Sequence, residues 1–69
     1  MDAKILPSTI IEQLERSGAL KFDELLKLVQ KRHEGLNEGE LDIMLMRMEI
    51  QGLIRVYRIP RGNRRIELA

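Results

Sequence analysis

The sequence predicts a mainly α-helical domain that ends in a small antiparallel β-hairpin. Two observations support this fold class. Apolar residues recur at helical spacing in three segments before Gly52, and glycines lie at or just beyond the segment ends. After Gly52 the pattern changes to the mixture of β-branched and basic residues that is typical of strands. Residues 60–63 have turn-forming chemistry, so the hairpin is predicted over about residues 53–68.

The composition is that of one small domain. The chain has 69 residues and a hydrophobic fraction of 43%, which is too high for a disordered segment. Because it contains no cysteine, neither a disulfide nor a thiolate metal site can support its modest core. No apolar run approaches the roughly 20 residues of a membrane span, and residues 1–7 lack the features of a signal peptide. A cytoplasmic protein is expected, and the charged fraction of 33% without cysteine fits a thermophile.

Helix one is predicted over about residues 8–17. Pro7 suits the start of a helix because it has no backbone N–H group to leave unpaired. Gly18 is a natural left-handed stop. The next four residues, 19–22, predict a short extended segment that is a candidate extra strand.

Helices two and three are predicted over about residues 23–33 and 38–51. Asp23 is expected to cap helix two. Asn37 followed by Glu40 is typical of a capping box, in which each side chain satisfies backbone N–H groups at the helix start. Helix three should therefore begin directly after Asn37.

Helix three carries two apolar stripes on nearly opposite sides. At about 100° per residue, the inner stripe consists of Leu41, Met44, Leu45 and Met48. The outer stripe consists of Ile43, Met46 and Ile50. A surface helix needs one apolar stripe for its core. The outer stripe is therefore either covered within the domain or used, together with Arg47, to bind a partner or a second copy, and both interpretations stay open.

Charge is distributed unevenly along the chain. Residues 1–46 hold six basic and nine acidic residues, a net −3, whereas residues 47–69 hold six arginines and two glutamates, a net +4. Arginine makes forked contacts with phosphate or carboxylate groups. The candidate anion-binding residues of the hairpin are Arg55, Arg58, Arg61, Gly62, Asn63, Arg64 and Arg65. The alternative is a solvated hairpin edge whose charges prevent unwanted strand pairing.

Helix three runs into the hairpin through the stretch Leu45-x-x-Met48-x-x-x-Gly52-Leu53-Ile54-Arg55. This stretch resembles the Leu-x-x-Leu-x-x-x-Gly-Leu-Ile sequence with which winged-helix proteins end the recognition helix and enter the wing. Methionine replaces the second leucine. The resemblance covers residues 8–68 and implies a winged helix. Members of that family bind DNA in transcription regulators or bind proteins in polymerase, replication and proteasome-type assemblies.

In DNA-binding winged helices, the exposed face of the recognition helix enters the major groove. Here that face would carry Asp42, Ile43, Met46, Glu49 and Ile50. Residues 38–49 hold four acids and one arginine, a net −3 that phosphates would repel. The resemblance therefore implies an archaeal-type, DNA-associated module in which the wing contacts the backbone and helix three forms a homodimer or binds a protein. The alternative is an adaptor that binds only proteins.

No pattern indicates catalysis, a cofactor, a metal or a small-molecule substrate. His33 is the only histidine, so it is expected to be a cation at a helix end rather than a metal ligand. The hydroxyl residues lack a nucleophile elbow, and the glycines form no phosphate-binding loop. The sequence predicts a protein that is not an enzyme.

Overall fold

The structure, a computed structural model, describes residues 7–60 and 63–69. Its elements are α1 (Pro7–Ser17), β1 (Ala19–Lys21), α2 (Phe22–Arg32), α3 (Glu38–Ile50), β2 (Ile54–Arg58) and β3 (Arg64–Leu68). Three helices and a small antiparallel sheet confirm the predicted fold class, and their order is compatible with a winged-helix-like layout. Among the described helices, none combines the length and the apolar character that crossing a membrane requires.

The predicted extra strand is present and joins the hairpin. β1 pairs with β3 rather than β2, so the strand order is β1-β3-β2 and both ladders are antiparallel. Ile66 of β3 lies opposite Leu20 of β1 and Val56 of β2. The last strand of the chain is therefore the central strand of the sheet.

One apolar core lies between the helices and one face of the sheet. Its buried residues are Ile10, Leu14, Phe22, Leu25, Val29, Leu36, Leu41, Leu45, Met48, Ile54 and Ile66. Met44 packs against this core from its edge. The inner stripe of helix three is thus confirmed as its core-facing side.

Capping interactions set the starts of two helices. Asn37 Oδ1 accepts a hydrogen bond from the backbone N–H of Glu40 at 2.8 Å, and Glu40 Oε1 accepts one from the N–H of Asn37 at 3.0 Å, as predicted. The prediction of Asp23 as the cap of helix two is wrong. α2 begins one residue earlier, with Lys21 as N-cap, and the Lys21 N–H donates to Glu24 Oε1 at 2.9 Å. Glu24 therefore stabilises this helix start.

Gly52 connects α3 to the wing, which consists of β2, β3 and the turn between them. Its φ angle of 80° lies in the left-handed region that favours glycine. The Gly52 N–H donates to the Glu49 carbonyl at 3.0 Å, and the Leu53 N–H donates to the Met48 carbonyl at 2.9 Å. These two bonds form a Schellman motif, which ends the helix and turns the chain directly into β2.

Candidate functional site

The wing side chains alternate between the core and solvent. Ile54 and Ile66 are buried, so their neighbours Arg55 and Arg65 lie on the opposite face of the sheet. Lys21 of β1 pairs with Arg65 in the β1–β3 ladder and shares that face. The sheet therefore brings together three cations from three different strands.

The outer sheet face is defined here as Lys21, Arg55, Tyr57, Arg65 and Glu67. Tyr57 lies opposite Arg65 in the β2–β3 ladder and is 43% exposed. Glu67 lies opposite Arg55, and its Oε2 is 3.0 Å from Arg65 Nε. Three cations against one carboxylate give this face a net charge of +2. It is a solvent-exposed, positively charged surface with an amphipathic aromatic ring.

Arg64 does not belong to the outer sheet face. Its Nη1 atom is 2.5 Å from Asp42 Oδ1, and its guanidinium carbon is 4.2 Å from the centroid of the Phe22 ring. The Arg64 side chain is only 27% exposed. These contacts tie β3 to both α2 and α3. The sequence expectation of a phosphate-binding arginine stays a prediction at this position, where the fold itself already engages the guanidinium group.

Arg58 also lies on the side of the sheet that faces α3. It lines a cleft between α3 and the wing together with Asp42, Met46 and Glu49. The cleft thus brings wing arginines next to the acidic flank of helix three. The acidic charge that would repel DNA phosphates is partly balanced within the domain.

Asn63 closes the wing turn. Its carbonyl accepts a hydrogen bond from the Ile59 N–H at 3.0 Å, and its Oδ1 accepts one from the Arg64 N–H at 2.9 Å. Asn63 therefore has a structural role that does not require an anion. Arg61 and Gly62, the other predicted residues of the turn, lie outside the described residues.

The outer stripe of helix three is solvent-exposed. Ile43 is 54% exposed, Met46 56% and Ile50 81%, and Arg47 beside them is also exposed. Three large apolar side chains on one helix face form a patch of the kind that marks interaction sites. The wing does not cover this stripe. The alternative that the N-terminal segment covers the outer stripe depends on residues 1–6, which lie outside the described residues.

Lys21 and Tyr57 are candidate site residues that the sequence analysis missed. Strand alternation places Tyr57 on the same face as Arg55, so that signal was present in the sequence. Lys21 joins them only because β1 pairs with β3. The sequence indicated an extended segment there but not its partner strand.

Comparisons with known proteins identify no family for this chain. No family model, no curated protein and no solved structure matches it. Among the residues that the structure describes, no group of three or more acidic, histidine or cysteine side chains is arranged to hold a metal ion. Within residues 7–60 and 63–69, the outer sheet face and the outer stripe are the candidate interaction sites.

We expect Arg64→Ala to lower the free energy of unfolding by about 1–2 kcal/mol, because it removes a partly buried ion pair and a cation–π contact. Urea denaturation followed by circular dichroism measures this change. Arg58→Ala is the matched control, since Arg58 is exposed and should cost less than about 0.5 kcal/mol. Equal losses in the two variants would contradict the structural role of Arg64.

Proposed function

We propose that the protein is a non-enzymatic winged-helix binding module that associates with DNA through its wing. The outer sheet face would lie on the phosphate backbone, with Lys21, Arg55 and Arg65 as its phosphate ligands. The observation that carries this proposal is the convergence of these three cations on one exposed face. Arginine at two of the three positions favours forked contacts with phosphate oxygens.

The dimensions of the outer sheet face suit a run of phosphates. Lys21, Arg65 and Tyr57 form one row across the three strands. With strands about 4.8 Å apart, this row spans about 10 Å. Phosphates of one DNA strand wind around the helix while they advance by about 3.4 Å along its axis, so neighbouring phosphates are roughly twice as far apart in space and the row matches about two of them. Tyr57 adds a hydroxyl group that can donate to a phosphate oxygen.

Binding of this kind would have little sequence preference. Phosphate contacts position a protein on a duplex but do not read its bases. Base reading by α3 is disfavoured, because its exposed side is apolar and lies beside acidic residues. The outer stripe of α3, with Arg47, would instead bind a protein partner or a second copy.

The two surfaces do not compete for space. α3 packs on the core-facing side of the sheet, whereas the outer sheet face points away from the core. A protein bound to the outer stripe would leave the outer sheet face free for DNA. This separation supports a module that links a protein assembly to DNA.

A second candidate function is that of an adaptor that binds only proteins. It is favoured by the pairing of wing arginines with carboxylates in the fold itself, Arg64 with Asp42 and Arg65 with Glu67. A carboxylate-rich protein surface would offer the wing the same chemistry as phosphate. The acidic character of helix three also favours this candidate.

Chemical-shift mapping by NMR tests the DNA proposal. A duplex of mixed sequence is added to the labelled protein at low salt, and backbone amide shifts are followed. We expect the largest changes at Lys21, Arg55, Tyr57 and Arg65, and not at the outer stripe. Changes centred on α3, or no changes at all, would contradict phosphate binding by the wing. The second result would favour the adaptor.

A further inference from the structure

We infer that the outer stripe of α3 binds a second copy of this chain, with the two α3 helices packed antiparallel about a two-fold axis. This inference deepens the protein-binding part of the proposed function and identifies its partner. It is independent of whether the wing binds DNA. Three features of α3 carry it, namely the spacing of its exposed residues, their sizes and the charges beside them.

The intervals between the residues of the outer stripe are the same when α3 is read from either end. With Gly39 at its N-terminal end, the line runs through Ile43, Met46 and Ile50 at intervals of four, three and four residues. At about 100° per residue, all four fall within a sector of about 60°. An antiparallel pair centred between residues 44 and 45 therefore places each member of one line against a member of the other. Gly39 meets Ile50 of the second copy, and Ile43 meets Met46.

The sizes of these residues are complementary in that register. Ile50 is the most exposed large apolar residue described, at 81%. Its counterpart Gly39 has no side chain, and a Cβ built there would approach only Asn37 Oδ1, at 3.4 Å. The space above Gly39 can therefore receive Ile50 of the second copy. A glycine inside a helix costs about 0.5–1 kcal/mol relative to alanine, and close helix packing would offset that cost.

The charges on one flank of the stripe are complementary in the antiparallel orientation. Glu40 and Arg47 lie on one flank of α3, and Asp42 and Glu49 on the other. A two-fold axis perpendicular to the helices brings each flank against the same flank of the second copy. Arg47 then lies within about 3 Å, measured along the helix axis, of the level of Glu40 in the second copy. A parallel pair would instead place Glu40 beside Asp42 and Arg47 beside Glu49, so its charges nearly cancel. It would also set Ile50 against Ile50 and lose the match with Gly39.

On the other flank, the antiparallel pair brings Asp42 of each copy near the level of Glu49 of the second copy. The repulsion between these carboxylates is reduced by arginines of the wing. Asp42 is paired with Arg64, and Glu49 shares its cleft with Arg58. Arg64 therefore compensates the charge of Asp42 in each copy before the two copies meet. This leaves Glu40 and Arg47 as the charges that attract the second copy in the antiparallel register.

The dimer should be weak and concentration-dependent. A helix of 13 residues is about 20 Å long, so one helix pair buries less than a standard protein interface. We expect a dissociation constant of about 10–100 µM. Such a dimer would present two outer sheet faces and double the cations available to one duplex.

Sedimentation equilibrium of the full chain without DNA, from about 5 µM to 1 mM, tests the dimer. Met46→Glu should weaken association at least about 30-fold, because it places a charge in the apolar contact. Ser8→Glu is the matched control, since it adds the same charge at an exposed position in α1 and should leave association unchanged. A wild-type chain that stays monomeric throughout would overturn the inference, and the stripe would then have another occupant. A dimer that persists in the Met46→Glu variant would also overturn the inference.

A charge exchange tests the orientation. Arg47→Glu alone and Glu40→Arg alone should each weaken the homodimer about 10-fold, because like charges then face each other. An equimolar mixture of the two variants should associate at least as well as the wild type, since both charge pairs are restored. A mixture of folded variants that fails to associate would overturn the antiparallel register.

Glu40 also belongs to the capping box, so folding is checked by thermal melting. Glu40→Gln is the cap-preserving variant, because glutamine also completes a capping box. It removes the charge and should weaken the wild-type dimer about threefold with an unchanged melting temperature. Unchanged association in both Glu40→Gln and Arg47→Glu would overturn the proposed charge pair.

Discussion

Leu45→Ala is expected to lower the free energy of unfolding by about 2–5 kcal/mol, whereas Met46→Ala should change it by less than about 1 kcal/mol. The two residues are adjacent in α3, but Leu45 is 1% exposed and Met46 is 56% exposed. Truncating Leu45 leaves a cavity in the core. Truncating Met46 removes surface that already contacts water.

Urea denaturation of both variants measures this difference. The protein concentration is kept near 2 µM, below the expected dissociation constant of the dimer, so that Met46→Ala reports on the monomer. A domain of this size has a total stability of roughly 3–10 kcal/mol, so Leu45→Ala should remove a large share of it. Similar losses in both variants would contradict the two-sided assignment of α3.

Arg55→Glu combined with Arg65→Glu is expected to weaken duplex binding at least about 50-fold at 0.1 M salt. Each lost phosphate contact removes about 0.9 counterion, which corresponds to about 0.9 decade of affinity per contact at that salt concentration. Charge reversal adds repulsion to this loss. Fluorescence anisotropy with a labelled duplex measures the change.

A matched control separates a local site from a general effect of net charge. Lys27→Glu combined with Lys31→Glu changes the net charge equally, at two exposed positions of α2. It should weaken binding less than about threefold, because distant surface charges are screened by salt. Equal losses in the two double variants would show that no particular face of the protein holds the duplex.

The local features of the fold were predictable from the sequence. The capping box at Asn37 and Glu40 and the left-handed stop at Gly18 each depend on a few neighbouring residues. The two stripes of α3 follow from helical periodicity alone, so the burial of Leu45 was also predictable. The exposure of Met46 was not, because periodicity does not show whether another part of the domain covers the outer stripe. Asp23 does not cap α2, because the helix already begins at Phe22 and Glu24 accepts the N–H of the N-cap residue Lys21.

The division of the wing arginines was not predictable in full. Strand alternation separates Arg55 from Arg58, but the partner of Arg64 depends on Asp42, which lies 22 residues earlier in the chain. The position of Lys21 depends on the pairing of β1 with the last strand. Both contacts join distant segments, and periodicity carries no information about them.

The salt dependence of duplex binding is the measurement to make first for phosphate recognition by the outer sheet face. A labelled duplex of about 20 base pairs is titrated with the wild-type protein at several salt concentrations, and the logarithm of the association constant is plotted against that of the salt concentration. Contacts from Lys21, Arg55 and Arg65 predict a slope of about −3 for each bound copy. No binding at low salt, or binding that does not change with salt, would contradict phosphate recognition by the outer sheet face.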